Sequence, residues 1–340
     1  MKKVMFYRPM FYMGGTEMAI LSLLRKMKNY ECYVGYTDDT SDEKLLARYA
    51  KYAKVVKIDE NFNEKMDTLI LCSPYKSILE IDEKINRNKT ILWFHHFGNR
   101  EASIFNEDSF YNIVDEIVTV SETCKKIMLE QDYASKIKEH DIEIEVIYNI
   151  IDVDKIIEKS ERDCEIEIDT NHELTLVSCS RVCYEKGFDR QFKLAKFLEK
   201  HNIDFKWYII GGNYYKDIED EIRKKYSDLK DNFEFLGFLD NPYNIIKHCD
   251  YLVLLSENET WGLVITEAKI LGVPCIVTDF EVAYEQILDN ETGVILSRYN
   301  TDSYENKIDT IVNNKTIYKE KLKDFRWANE EIMEKWDSML

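Results

Sequence analysis

The chain has 340 residues, is 45% apolar and carries a formal net charge of −18; that length suits two α/β domains, each with its own core. The charge is uneven, −4 over residues 1–150 and −14 over residues 151–340, which argues against nucleic acid as a partner and leaves the near-neutral first half better able to approach an anionic membrane. No apolar run reaches the length that spans a bilayer, no secretory leader is visible, and the eight scattered cysteines, with Cys179 and Cys183 lacking a nearby histidine, read as reduced thiols of a cytoplasmic protein rather than as a zinc site.

Lys2–Tyr7 reads as a first strand. A loop follows, ending in Gly14-Gly15-Thr16-Glu17, and a helix is predicted over 16–27. Strand, Gly-Gly, helix lets backbone approach a phosphate at an electropositive helix start. It is also an ordinary turn, and it lacks the spacing of a dinucleotide fingerprint. Further short strands are expected at 31–36, 55–58, 68–72 and 90–94, mostly separated by helices, which argues for a parallel, doubly wound sheet. His95 and His96 follow the last of these at a C-terminal strand end, where ligands of such sheets bind. Residues 99–112 are aromatic-rich, with Phe105, Phe110 and Tyr111. They could face an acceptor or simply form a packed loop. A strand at 117–120 leads to Ser121, a predicted N-cap. Another strand at 145–147 precedes Tyr148-Asn149-Ile150-Ile151-Asp152. Residues 156–172 read as a solvated linker. Asp152 and Asp154 have no other ligand nearby and make a poor metal pair.

The rhythm restarts at Leu174–Cys179. The loop Ser180–Gly187 then carries Arg181 and Lys186, two cations that suit a diphosphate but could equally be ordinary surface charge. A strand at 206–210 ends in Gly211-Gly212, and an amphipathic helix is expected near 216–226. A strand at 233–236 and a short helix at 242–249 precede residues 251–278, a strand–loop–helix–turn–strand unit. Helices near 301–313 and 316–339 are predicted to close the chain.

Two carboxylates punctuate the 251–278 unit. Glu259 lies before the helix and Glu267 within it. Eight helical positions would separate them by roughly 12 Å and rotate them roughly 80° apart. They could not easily share one proton or metal, but could bind two ends of a long ligand. The N–H groups of Gly262, Leu263 and Val264 would lie between them, favouring a phosphate. Both carboxylates could also simply face solvent.

Together these motifs resemble the family-4 retaining glycosyltransferases, which have the GT-B fold. Gly14-Gly15-Thr16-Glu17 is similar to the family's Gly-Gly loop and Trp93-Phe94-His95 to its histidine after an internal strand. Thr119-Val120-Ser121-Glu122 and Tyr148–Asp152 look like two further signatures, although Ile150 stands where the family has Gly. Arg181 with Lys186-Gly187 resembles its R…KG pair, and Glu259-x₇-Glu267 its paired glutamates.

The resemblance implies two Rossmann-like α/β domains facing across a cleft. The first is expected over 1–155, with a last helix at about 325–340 packing back on it, and the donor-binding domain over 156–324. Glu267 would take the ribose hydroxyls. Glu259, with Trp261, Gly262, Leu263 and Val264 after it, would hold the sugar and phosphate. Arg181 and Lys186 would neutralise the leaving diphosphate, with Gly211 on the same donor side. From the first domain, Gly14 and Gly15 would approach the diphosphate and His95 the donor sugar; the adjacent His96 competes for that role. The expected reaction is metal- and cofactor-free retaining transfer of a hexose or N-acetylhexosamine. Its donor would be a nucleotide sugar, UDP-linked by expectation, and its acceptor a glycan or lipid-linked molecule. It would occur in the cytoplasm, with peripheral contact at the inner membrane face through the first domain. The rivals are a non-catalytic subunit that stabilises an active transferase, and an epimerase or phosphorylase on the same fold.

Overall fold

Short apolar runs that are buried from end to end, such as Tyr251–Leu254 and Cys275–Thr278, are what a parallel sheet covered on both faces demands. The computed structural model contains two such sheets. It describes residues 1–340 except 73–74, 97–101, 164–165, 213–216 and 226, and omits the side chains of Ser77 and Ala102. Contacts divide the chain into unit 1, residues 1–151 with 328–340, and unit 2, residues 152–327.

Unit 1 has strands β1 (Lys3–Tyr7), β2 (Glu31–Tyr36), β3 (Lys54–Lys57), β4 (Met66–Leu71), β5 (Arg87–Phe94), β6 (Glu116–Thr119) and β7 (Glu143–Val146). They pair in parallel in the order β3-β2-β1-β4-β5-β6-β7. Helices α1 (Gly15–Lys26), α2 (Glu43–Tyr49), α3 (Asp108–Ile113), α4 (Glu122–Leu129) and α5 (Ala134–Glu139) connect them. Ser121 does cap α4, its side chain accepting from the Cys124 N–H at 3.0 Å. Successive side chains of β5 take opposite faces. Leu92 and Phe94 join a core with Phe105 and Phe110, while Trp93 packs against Phe6 on the other face.

Unit 2 opens with α6 (Val153–Ser160) and continues β8 (Leu174–Cys179), α7 (Phe188–Lys200), β9 (Phe205–Ile210), α8 (Ile218–Lys225), β10 (Phe233–Gly237), α9 (Tyr243–Ile246), β11 (Tyr251–Leu254), α10 (Leu263–Ile270), β12 (Cys275–Thr278), α11 (Ala283–Gln286), β13 (Gly293–Leu296) and α12 (Ile308–Leu322). Its sheet is also parallel, ordered β10-β9-β8-β11-β12-β13. The strand order reverses beside β1 in one sheet and beside β8 in the other, and such switch points open crevices at the C-terminal strand ends. The chain then returns to unit 1 as α13 (Asn329–Met339). There Asn329 accepts from the Ile151 N–H at 3.1 Å and donates to the Ile151 carbonyl at 2.6 Å. Trp336 is fully buried and meets Trp93 edge-on at 5.1 Å.

Several expectations need correction. The supposed linker starts as a helix: α6 buries Ile156 and Ser160 and packs against α9 and α10, so a narrow apolar stripe was hidden among its charges. The break expected at 314–315 falls instead at 323–328. Lys315 and Lys319, one turn apart on α12, both bind Asp250, at 3.0 and 3.1 Å, and tie the helix to the residue that precedes β11. Phe105, Phe110 and Tyr111 are buried, and Phe105 stacks on Tyr133 at 4.1 Å. That part of the 99–112 segment is a 3₁₀ turn, Ala102–Asn106, and most of α3, both packed into the core, and residues 99–101 lie outside the described residues. So do residues 216 and 226, the ends of the helix expected there. Cys164 is likewise outside; six of the other seven cysteines are buried. No helix among the described residues is long and apolar enough to cross a membrane.

Candidate active site

At the switch point of unit 2, β11 runs into the loop 255–262 and then into α10. The loop is anchored from several sides. Thr278 donates to the Ser256 carbonyl at 2.6 Å. The Glu257 N–H donates to the Glu185 carbonyl at 2.8 Å. Arg190, a buried cation on α7, donates to the Leu255 carbonyl and to Glu257. Arg298 donates to the Glu257 carbonyl at 2.8 Å. A loop tied this tightly keeps its side chains in fixed places.

Glu259 and Lys186 meet there. Lys186 Nζ donates to Glu259 Oε1 at 2.6 Å, and the buried Ser256 hydroxyl donates to the same oxygen at 2.8 Å. The two charged side chains are only 17% and 13% exposed, so water screens the pair weakly. Lys186 closes a short 3₁₀ turn, Tyr184–Lys186, after β8. Arg181 lies on the same connection and is exposed. The loops after neighbouring strands are bonded to one another: Val182 N–H to the Gly212 carbonyl at 2.9 Å and Gly211 N–H to the Gly237 carbonyl at 2.8 Å. Gly211 permits this approach, since a Cβ there would stand 1.7 Å from the Ser180 carbonyl oxygen.

Gly262 caps α10 with φ 74°, a left-handed conformation that a glycine adopts without strain. The N–H groups of Leu263 and Val264 belong to the first turn, where no helix carbonyl can reach them. The Trp261 side chain turns inward. Its indole N–H donates to Thr266 at 3.0 Å, and Trp327 packs on it at 5.6 Å. What Trp261 can offer a ligand is therefore backbone. Glu267 is half-buried on α10 and accepts from the Tyr243 hydroxyl at 3.2 Å. Burial pushes its carboxyl up to about 7, against the pull of Tyr243 and of Lys159 on α6.

Unit 1 has its own group at the strand ends. Gly14 is the N-cap of α1, and Gly15 is exposed with open space where a Cβ would stand. Glu17 folds back beneath the turn, where its carboxylate is buried and paired with Arg8. His95 is buried against Trp93 at 4.5 Å, and burial holds it well below the ordinary imidazole range, hence neutral at pH 7. Its Nε2 has no hydrogen-bond partner among the described residues. His96 is less buried and lies near Tyr75 and Phe94.

The structure thus brings Lys186 and Glu259 into contact and sets both on the loops that lead from β8 and β11. Sequence reading missed Tyr243, Ser256, Arg190 and Arg298. Tyr243, Arg190 and Arg298 act across a distance in the chain, whereas Ser256, three residues before Glu259, carried a local signal.

Comparison with known proteins gives a family and a fold. The family described as "Glycosyl transferases group 1" matches residues 162–331, half of the chain. An uncharacterised 41.2 kDa protein of the cps region of Klebsiella pneumoniae is 27% identical over 179 residues, 52% of this chain and 46% of that protein. The O-antigen biosynthesis glycosyltransferase WclY of Escherichia coli is 26% identical over 41% of this chain and 38% of its own. The match therefore spans less than half the length of these relatives. Among solved structures, a glycosyltransferase from Rickettsia africae superposes with a TM-score of 0.74 at 16% identity, covering 99% of this chain and 97% of that one. HepE of Anabaena, solved with UDP-glucose, also gives 0.74, at 15% identity and 99% coverage of both chains. These likenesses show the GT-B fold.

Proposed function

The chain belongs to the group 1 glycosyl transferases, and from that premise we propose that it moves a hexose or N-acetylhexosamine, with retention of configuration, from a UDP-sugar to a glycan or lipid-linked acceptor. The observation that carries this reading is the Lys186–Glu259 pair beside the first turn of α10, with Glu267 about one turn into that helix. The relative solved with UDP-glucose favours a UDP-linked donor. The E. coli relative, named for O-antigen biosynthesis, favours surface polysaccharide or glycolipid assembly. Where the acceptor is lipid-linked, peripheral membrane contact through the near-neutral first half of the chain, residues 1–150, is part of the same proposal.

Breaking the bond between sugar C1 and the phosphate oxygen places negative charge on the departing UDP. Lys186, Arg181 and the first-turn N–H groups of α10 neutralise it, and we assign them this work in place of a metal. Glu259 orients the sugar hydroxyls and Glu267 accepts from the ribose. The acceptor hydroxyl attacks C1 from the face the phosphate leaves and gives its proton to a phosphate oxygen. That accounts for retention without a protein nucleophile. In unit 1 the neutral His95 is assigned a hydrogen bond to a sugar hydroxyl, and Gly15 a close backbone approach by phosphate.

The test is nucleotide release from a panel of UDP-, GDP- and ADP-sugars. Wild-type protein is expected to hydrolyse a UDP-sugar slowly, and Glu267→Ala to do so at least about tenfold less efficiently, through a raised KM. Release from no donor by either protein would sink the transferase reading. Loss of activity on chelation would overturn its metal-independence alone.

A further inference from the structure

Glu267 does not stand alone. Tyr243 reaches it from α9, and the segment carrying Tyr243 is bolted to α6. Lys159 donates to the Asp240 carbonyl at 2.6 Å, Asn241 donates to the Lys159 carbonyl at 2.9 Å, and the Tyr243 N–H donates to the Asn241 side chain at 3.3 Å. Lys247 pairs with Glu161 just beyond α6. The phenol therefore has a fixed origin, and it has one hydrogen to give. It gives that hydrogen to Glu267 Oε1. We propose that Tyr243 is a positioning residue for donor binding: its hydroxyl holds Glu267 turned so that the carboxylate accepts from the ribose diol. This rests on Glu267 being the ribose contact, as proposed above.

The physical case has two parts. A ribose diol donates two hydrogens, so its partner must accept. A protonated carboxyl loses an acceptor and gains a hydrogen of its own. The groups facing this pair are Tyr243 on α9, Lys159 on α6 and Cys179 at the end of β8, with Asp152 before α6 acting on the phenol. With burial raising it and the phenol and Lys159 lowering it, the Glu267 carboxyl stands at about 7. Affinity for a ribose should then fall as pH drops through this range. Without the phenol's hydrogen bond the carboxyl rises further, and the fall moves to higher pH.

Calorimetric titration with UDP and with 2′,3′-dideoxy-UDP, between pH 6 and pH 9, tests this. Tyr243→Phe should bind UDP about tenfold more weakly than wild type at pH 7, recover at higher pH, and bind the dideoxy compound unchanged. In the transferase assay the donor KM should rise while kcat stays within about twofold. Combined with Glu267→Gln, Tyr243→Phe should add nothing, since its target is gone. An unshifted pH profile, or equal weakening of both ligands, would overturn the inference and leave Tyr243 a packing residue. Should wild type bind UDP while Glu267→Gln binds it equally well, the ribose assignment itself falls, and this inference with it.

Discussion

Lys186→Ala is expected to slow sugar transfer by about 10²–10³-fold, as loss of one preorganised charge at a developing anion does. The cause is twofold. The ammonium assigned to the departing diphosphate disappears. The Glu259 carboxylate, 13% exposed and now without its cation, is left beside that diphosphate as a repelling charge. An unpaired, poorly solvated charge costs more than the pair was worth. Kinetics on Lys186→Ala should therefore show kcat falling along with donor affinity. Lys186→Met with Glu259→Gln should recover thermal stability and leave transfer lost. If Lys186→Ala kept transfer within a few-fold of wild type, the diphosphate would have to be neutralised elsewhere.

Trp336→Ala should destabilise unit 1 by about 3–5 kcal/mol, the range for emptying a large aromatic from a core. Trp336 is fully buried on α13 and meets Trp93 edge-on. Trp93 in turn lies against His95 at 4.5 Å, so the cavity opens one ring away from a residue assigned to the sugar. Calorimetric melting should lower the transition of unit 1 and spare that of unit 2, because the contact lies wholly within unit 1. A single transition shifted as a whole would show instead that the two units melt together.

Much of this was legible because it is local. The β11–α10–β12 unit follows from apolar runs broken by Ser256–Thr260, Gly272 and Pro274, and the Ser121 cap from a serine before a helical stripe. Arg181, Lys186, Glu259 and Glu267 stood out because each sits beside a strand end or within a recognisable spacing. What escaped was non-local. Nothing near Pro242-Tyr243 announces a carboxylate on another helix, and nothing at Asp250 announces that two lysines of α12 will pair with it. The charges around Ile156 masked α6, whose apolar stripe is only as wide as the two short helices it supports.

The return of the chain to unit 1 sets an order of manufacture. Unit 2 is one uninterrupted stretch, 152–327, whereas unit 1 needs residues on both sides of it. When the ribosome has finished β7, every strand of the first sheet exists but α13 does not. Trp93 must wait for Trp336, and Ile151 for Asn329, while the whole of unit 2 is synthesised. The sheet begun first is thus completed last. A nascent chain stalled after unit 2 would carry a finished second sheet and a first sheet with one aromatic face still bare, a natural target for chaperones.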